Sequence, residues 1–168
     1  MGLSVSVINS CKLVDVKANS YGSPTAKIVF REIGSQSVHT ENITYSGGVA
    51  QITVAVSNLD QPNGVYEVTL EESSTNVARA VLFIHCDIDC CLVKLTNELI
   101  DCACDCPKCA SSLAKAQKVF LLLQSAISTV EITKSSSSAA FNSGYYQDIF
   151  EKYEKAKSIC DNSCGCDC

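Results

Sequence analysis

The sequence has 168 residues, with 13 Lys and Arg against 18 Asp and Glu, and a formal net charge of −5 at pH 7. General nucleic-acid binders need a cationic face, so this charge argues against that class. Hydrophobic residues make up 46% of the chain and charged residues 18%, which argues against intrinsic disorder. No apolar run approaches the roughly 20 residues that cross a bilayer, so we expect no membrane-spanning segment.

The first 85 residues are predicted to form short β-strands. They are rich in Val, Ile and Thr, and Gly, Pro, Asn and Ser separate the strand-like segments. Apolar and polar residues alternate most clearly over 64–71. The predicted strands are 3–8, 12–17, 26–31, 37–43, 49–56, 64–71 and 77–84. Short strands with turns between them predict an antiparallel β-sandwich domain over residues 1–85.

Residues 86–168 are predicted to form a cysteine-rich helical domain. Apolar residues recur there every three or four positions, which is the spacing of a helix with one buried stripe. The three stripes are Ile88, Leu92, Leu95 and Leu99; Leu113, Ala116, Phe120, Leu123, Ile127 and Val130; and Tyr146, Ile149, Phe150, Tyr153 and Ala156. Pro107 precedes the second stripe at a permitted helix start, and Asn142 or Ser143 is a plausible cap for the third helix. The predicted fold is α+β, a sandwich followed by a three-helix bundle.

Eleven of the twelve cysteines lie after residue 85, and eight of them form two clusters. If the helices run up, down and up, helices one and three end on the same side and the two clusters meet. The first cluster lies between helices one and two, and the second closes the chain. The clusters are Cys102, Cys104, Cys106 and Cys109, and Cys160, Cys164, Cys166 and Cys168.

These eight thiols have two physical uses. As thiolates they could fill two tetrahedral zinc sites of four cysteines each. As disulfides between the clusters they would stabilise the fold by roughly 2–4 kcal/mol for each long loop closed. The N-terminus shows no secretory signal, which favours zinc, whereas a particle released from the cell would allow disulfides. Both alternatives stay open.

The remaining cysteines have weaker signals. Cys86 and Cys90 share one helical face and could be metal ligands, with His85 as an additional ligand. Alternatively, Cys86, Cys90 and Cys91 are small apolar core residues, which free cysteines often are. Cys11 stands alone in a predicted strand, where it is interpreted as a core residue or a spare thiol.

Catalysis has little support in the sequence, so the chain is predicted not to be an enzyme. His39 and His85 are the only histidines, and no nucleophile-elbow, zinc-protease or phosphate-loop motif is present. Cys106 and Cys109 have the Cys-x-x-Cys spacing of a thiol oxidoreductase, but no βαβ pattern precedes them. A thiol oxidoreductase is therefore the weakest hypothesis.

The second half of the chain resembles small virion proteins of large tailed bacteriophages, including crAss-like phages. Three segments carry the resemblance in the strands and first helix, and two cysteine motifs carry it in the helical unit. They are Val-Tyr-Glu-Val-Thr-Leu at 65–70, Ala-Val-Leu-Phe-Ile-His-Cys-Asp at 80–87, Cys-Cys-Leu-Val-Lys-Leu at 90–95, Cys-Asp-Cys-Pro-Lys-Cys at 104–109 and Cys-Gly-Cys-Asp-Cys at 164–168. The resemblance covers about residues 64–168.

The resemblance implies a structural virion protein, in the head-to-tail connector, neck ring or tail. It implies a homo-oligomer, with a ring that is commonly twelvefold, and neighbouring virion proteins as partners. The chain would assemble in the host bacterial cytoplasm and reside in the virion, with no membrane and no sequence-specific nucleic acid as partner. The alternative function is a cytoplasmic zinc-binding adaptor, in which the cysteine clusters form Cys₄ sites and mediate protein interactions.

Overall fold

The computed structural model describes residues 2–35, 37–101, 107–135 and 143–162. Within these residues, seven strands precede three α-helices, as the sequence predicts. The strands are β1 Leu3–Ile8, β2 Leu13–Asn19, β3 Thr25–Glu32, β4 Val38–Thr44, β5 Val49–Ala55, β6 Gly64–Glu72 and β7 Thr75–Ile84. A short 3₁₀ helix, Val56–Asn58, follows β5, and the helices are α1 Cys86–Asp101, α2 Pro107–Ser135 and α3 Ser143–Asp161.

The seven strands form two antiparallel sheets. One sheet has three strands in the order β1-β2-β5, and the other has four in the order β4-β3-β6-β7. The β4–β5 turn carries the chain from the four-stranded sheet to the three-stranded one. Gly47 and Gly48 in that turn have φ of 61° and 80°, a left-handed conformation that favours glycine. The prediction of seven antiparallel strands followed by three helices is therefore confirmed.

One hydrophobic core joins the two sheets. Alternate residues of each strand point into it because side chains on a strand alternate between faces. Val14 and Val16 of the three-stranded sheet belong to the same buried cluster as Phe30, Tyr66 and Val68 of the four-stranded sheet. Burial of these apolar side chains provides the main favourable free energy for holding the sheets together.

The helices pack on the opposite face of the four-stranded sheet. Val65 and Val81 on that face share a second buried cluster with Ile88, Leu95 and Ile149 of the helices. This explains why β6 is buried along almost its whole length, since it has neighbours on both faces. The change from strand to helix lies between Ile84 and Cys86, at the predicted boundary. The division into two separate domains, 1–85 and 86–168, stays a prediction.

Contacts between the helices define their directions. The Thr129 hydroxyl near the end of α2 donates a hydrogen bond to the Asp148 carboxylate near the start of α3, at 2.8 Å. The same hydroxyl accepts a hydrogen bond from Nζ of Lys152. Ser112 near the start of α2 donates to Glu98 near the end of α1, at 3.0 Å. The second helix is therefore antiparallel to α1, and α3 returns in the general direction of α1.

The buried side of α2 differs from the predicted stripe. Leu113, Phe120 and Ile127 are exposed, although the sequence predicts them in the core. Leu123 and Val130 of the predicted stripe are buried as predicted. The other buried residues of α2 are Val119, Ala126, Thr129 and Thr133, so the buried face is rotated around the helix from the predicted one. Because α2 is apolar on both sides, its periodicity did not distinguish the inward face from the outward face.

Glu72 fixes the loop before β3 to the end of β6, and it makes the fold sensitive to acid. Its side chain is buried and accepts hydrogen bonds from the backbone N–H groups of Tyr21, at 2.8 Å, and Ser23, at 3.1 Å. Burial acts to raise the pKa of Glu72, but these backbone donors outweigh it and hold the pKa below its ordinary value. The ionised Glu72 side chain therefore stabilises the folded state at pH values above the pKa that Glu72 has in the unfolded chain.

We expect that stability to be lost as the pH falls through the folded pKa of Glu72. The Glu72→Gln variant carries no charge at any pH, so its stability should change less between about pH 6 and about pH 3. Urea unfolding midpoints of the two proteins across this range check the prediction. Equal slopes of stability against pH would contradict it.

Candidate functional site

The first cross-link joins the turn between β1 and β2 to the first residue of α1. Cys11 and Cys86 form a disulfide across 75 residues, with Cα atoms 6.4 Å apart. Cys11 lies in a turn with Asn9 and Ser10. The φ angles of Asn9, Ser10 and Cys11 are 54°, 49° and 64° respectively. The interpretation of Cys11 as a core residue or a spare thiol in a strand is therefore wrong. The turn presents its sulfur to the helix, so the bond ties the first hairpin to the helical part of the chain.

The second cross-link joins α1 to α3 inside the helical core. Cys91 in the second turn of α1 and Cys160 in the last turn of α3 form a disulfide across 69 residues, with Cα atoms 5.8 Å apart. Cys91 is 0% exposed and Cys160 is 3% exposed, and both belong to the buried cluster beneath the four-stranded sheet. The prediction of Cys91 as a core residue is correct for its burial, but the thiol is not free.

Cys90 is disulfide-bonded as well. Every cysteine with a described side chain is therefore in a disulfide. These cysteines are Cys11, Cys86, Cys90, Cys91 and Cys160. A sulfur in a disulfide has no thiolate to offer a metal, so Cys86 and Cys90 do not form a metal site with His85 in this structure.

Of the eight cysteines in the two predicted clusters, Cys160 alone has a described side chain. Cys109 lies in α2 without a described side chain, and the others lie outside the described residues: Cys102, Cys104, Cys106, Cys164, Cys166 and Cys168. Cys160 pairs with Cys91 rather than with the first cluster, which corrects the predicted pairing. The reason is that the end of α3 lies beside Cys91, in the second turn of α1. At about 1.5 Å per residue along the helix, Cys91 is about 15 Å from Asp101, the last residue of α1.

Among the described residues, no group of three or more His, Cys, Asp or Glu side chains is placed to hold a metal ion. The two cysteine pairs give some support to the disulfide alternative, and nothing in this part of the chain supports zinc. The described geometry therefore makes Cys86 and Cys91 of α1 part of a covalent brace between the first hairpin, α1 and α3. We call these two pairs, Cys11–Cys86 and Cys91–Cys160, the disulfide brace.

Polar contacts surround the disulfide brace at the start of α1. The Tyr153 hydroxyl donates to the Asp87 carboxylate at 2.7 Å, and the Asp87 backbone N–H donates to Oδ1 of Asn63 at 3.3 Å. The Tyr153 ring meets Phe83 edge-on, with centroids 6.0 Å apart. Burial and then the bond to Asp87 raise the pKa of Tyr153 above its ordinary value, so the phenol stays a donor at neutral pH.

Removing the Tyr153 hydroxyl should weaken this junction. We expect Tyr153→Phe to lower the free energy of unfolding by about 1–2 kcal/mol, because a partly buried hydrogen bond to a carboxylate is lost. The Asp87→Ala variant is the control for this substitution. In that variant, adding Tyr153→Phe should lower the free energy of unfolding by less than about 0.5 kcal/mol, because the hydrogen bond is already absent. Chemical denaturation of the four proteins in this cycle measures the coupling, and a coupling near zero would contradict the prediction.

The two histidines lie far apart in the fold and do not form a common site. His39 is on β4 and His85 follows β7, and these strands are the opposite edges of the four-stranded sheet. Nε2 of His39 lies 2.8 Å from Glu41 on the same strand. Nδ1 of His85 lies 3.0 Å from the Asp89 carboxylate, but without the alignment of a hydrogen bond. Neither histidine is therefore placed to serve the other as an acid or a base.

The sequence contained a signal for the Cys91–Cys160 pair, namely the helical spacing of each cysteine. The prediction missed it because it considered only the spacing of cysteines within the two clusters. Cys91 falls between Ile88 and Leu95 at helical spacing, so it lies on the buried stripe of α1. Cys160 extends the stripe that contains Tyr153 and Ala156 by the same spacing. Two cysteines that continue two facing stripes are candidates for a bond, whatever other cysteines lie nearby. No comparable signal marked Cys11, because a turn has no stripe.

In comparisons with known proteins, no family model and no curated protein matches the chain. None of the helices in the described part of the chain is long and apolar enough to cross a membrane.

Proposed function

We propose that this chain is a non-enzymatic structural protein of a tailed-bacteriophage virion, in the head-to-tail connector, the neck ring or the tail. The observation that carries the proposal is that every cysteine with a described side chain is disulfide-bonded. Disulfides persist in oxidising surroundings such as those outside the cell. A particle assembled in the bacterial cytoplasm meets such surroundings after release. The resemblance of residues 64–168 to phage virion proteins supports the same function.

In this proposal the two sheets form a β-sandwich and the three helices form a bundle that the disulfide brace rigidifies. The shared core of Val14 and Phe30 supports the sandwich, since it joins residues of both sheets. The bundle is supported by the contacts of α2 with both α1 and α3. A domain of this size gains roughly 2–4 kcal/mol from each long-range disulfide, which suits a particle that must survive outside a cell.

The proposal includes assembly of many copies around the axis of the particle, commonly twelve. Such a ring needs heterologous contacts, in which one surface of a copy meets a different surface of the next. The edge strands of the two sheets offer backbone N–H and C=O groups for pairing of this kind. Among the described strands these edges are β1 and β5 in one sheet and β4 and β7 in the other.

Mass spectrometry of purified particles of the phage that encodes the chain tests the function. We expect the intact chain among the virion proteins, at a copy number consistent with a ring. Its absence from mature particles would overturn the proposal.

Zinc content separates the proposed function from a zinc-binding adaptor. Inductively coupled plasma analysis of freshly purified, non-reduced protein should find far less than one zinc ion per chain. Close to two zinc ions per chain, together with unfolding by a chelator, would favour the adaptor, because structural zinc contributes folding free energy directly.

A further inference from the structure

The outward side of α2 is apolar and, within the described part of the chain, largely exposed to solvent. Five large apolar side chains of α2 are solvent-exposed, and four of them lie within residues 113–127: Leu113 by 46%, Phe120 by 54%, Leu121 by 63% and Ile127 by 38%. Ile132, exposed by 53%, follows them, and Ile127 also lines a cleft with Val7 of β1 and Phe83 of β7. The inward side of the same helix supplies Val119, Leu123 and Val130 to the core. A surface helix normally has one apolar stripe and a polar opposite face, so a helix that is apolar on both sides indicates a second packing partner.

Between Leu113 and Ile127 this side of α2 carries no charged side chain, and exposed Glu131 lies one turn beyond Ile127 at its end. Gln117, Gln124 and Ser128 are the exposed polar residues that lie between its apolar side chains. The nearest lysines, Lys115 and Lys118, turn towards α3, where they line a cleft with Ser158 and Ile159. Two copies of a chain with net charge −5 repel each other over most of their surface. They can approach at lowest cost where neither copy carries charge.

The spacing of three of these residues is symmetric. Leu113 lies seven residues before Phe120 and Ile127 lies seven residues after it, and seven residues are close to two helical turns. These three residues therefore form a nearly straight line along the helix, which we call the α2 stripe. In an antiparallel pair of such helices, Phe120 of one copy faces Phe120 of the other. Leu113 of each copy then faces Ile127 of its partner.

The apolar area matches what a stable dimer needs. Half-exposed Leu, Phe and Ile side chains present on the order of 100 Å² each, so the four give roughly 400 Å². A standard interface buries about 800 Å² on each partner, of which roughly 60% is apolar. Contiguous apolar patches of several hundred Å² on monomers usually mark an interaction site. The surface therefore supplies most of the apolar area of one side of a standard interface.

We propose that a second copy of this chain packs against the α2 stripe, with the two α2 helices antiparallel about a two-fold axis at Phe120. The inference goes beyond the proposed function and does not depend on it. An isologous pair forms whether or not the chain belongs to a virion, and in a virion it would join copies of two stacked rings.

Sedimentation equilibrium of the full oxidised chain, between about 1 µM and about 200 µM, tests the pairing. We expect a monomer–dimer equilibrium for the wild type. Phe120→Glu should weaken it at least about 100-fold, because two carboxylates then meet at the two-fold axis in place of two rings. Ser111→Glu is the control: it adds the same charge to an exposed position of α2, about 180° around the helix from Phe120 and on the side that faces α3. It should change the dissociation constant by less than about 3-fold.

A charge-pairing experiment tests the antiparallel register. Leu113→Lys and Ile127→Glu should each weaken the dimer at least about 10-fold. Combining the two substitutions in one chain places the introduced lysine of each copy against the introduced glutamate of the other. This double variant should recover most of the lost affinity, because opposite charges then face each other twice. A parallel or heterologous contact would give no recovery.

Several outcomes would overturn the proposal. A wild type that is monomeric throughout the concentration range, or a Phe120→Glu variant that dimerises as well as the wild type, would do so. Co-sedimentation of a monomeric wild type with vesicles of neutral and anionic phospholipids would assign the α2 stripe to a lipid surface instead. Circular dichroism melting of each variant checks that the fold is retained, as expected for substitutions at exposed positions.

Discussion

Replacing Cys91 and Cys160 together with alanine should lower the free energy of unfolding by about 2–4 kcal/mol. The disulfide closes a loop of 69 residues, so its removal restores much conformational freedom to the unfolded chain. For a chain of this size, the loss corresponds to a fall in melting temperature of about 5–15 °C. Thermal unfolding of the oxidised wild type and the double variant measures the effect.

Reduction provides the matched control for that substitution. When the wild type and the variant are both kept under a thiol reductant, neither protein has any disulfide, so their free energies of unfolding should agree within about 1 kcal/mol. The small remaining difference reflects the volume of two buried sulfur atoms. Oxidised wild type and variant that melt at the same temperature would show that Cys91 and Cys160 are not bonded.

The packing of α3 in the helical core predicts the second large effect. Ile149 is completely buried in the cluster that also contains Val65 of β6 and Val119 of α2. Ile149→Ala should lower the free energy of unfolding by about 2–5 kcal/mol, through lost apolar burial and the cavity that remains. Urea denaturation at constant pH measures it.

Gln147→Ala is the control for Ile149→Ala on the same helix. Gln147 is exposed and bonds only to the side chain of Glu151 among its described contacts, at 3.2 Å. Its replacement should change stability by less than about 0.5 kcal/mol. If Ile149→Ala cost no more than Gln147→Ala, α3 would not pack in this core.

The strands were predictable because their signals are local. Alternation of Tyr66, Val68 and Leu70 with Val65 and Glu67 is a property of one strand, and turn residues mark where each strand ends. Strand order was not predictable in this way, because pairings such as β2 with β5 join residues far apart in sequence. The placement of helices on the back of the four-stranded sheet had a partial signal in Val65, an apolar residue on the opposite face from Tyr66.

The second helix shows where periodicity fails. The predicted stripe of α2 combined two buried residues, Leu123 and Val130, with three exposed ones, Leu113, Phe120 and Ile127. Spacing alone cannot decide which of two apolar faces meets the rest of the chain, since both satisfy the helical period. The decision depends on tertiary contacts, and the face that was misassigned became the basis of the proposed dimer.

The candidate site was predictable in composition but not in pairing. The density of cysteines after residue 85 indicated cross-links or metal sites. Which sulfurs meet depends on the offset between α1 and α3, and that offset follows from how the helices pack on the sheet. Cys160 therefore reaches Cys91 rather than a cysteine of the first cluster, and Cys11 reaches Cys86 through a turn in the opposite part of the chain.

The most direct test of the disulfide brace is peptide mapping of the non-reduced protein, with free thiols alkylated before digestion. Trypsin and an enzyme that cleaves before aspartate would separate Cys86 from Cys90 and Cys91, because Asp87 and Asp89 lie between them. The expected products link the peptide of Cys11 to that of Cys86, and the peptide of Cys160 to that of Cys91. Alkylated, unlinked Cys11, Cys86, Cys91 and Cys160 would contradict the account.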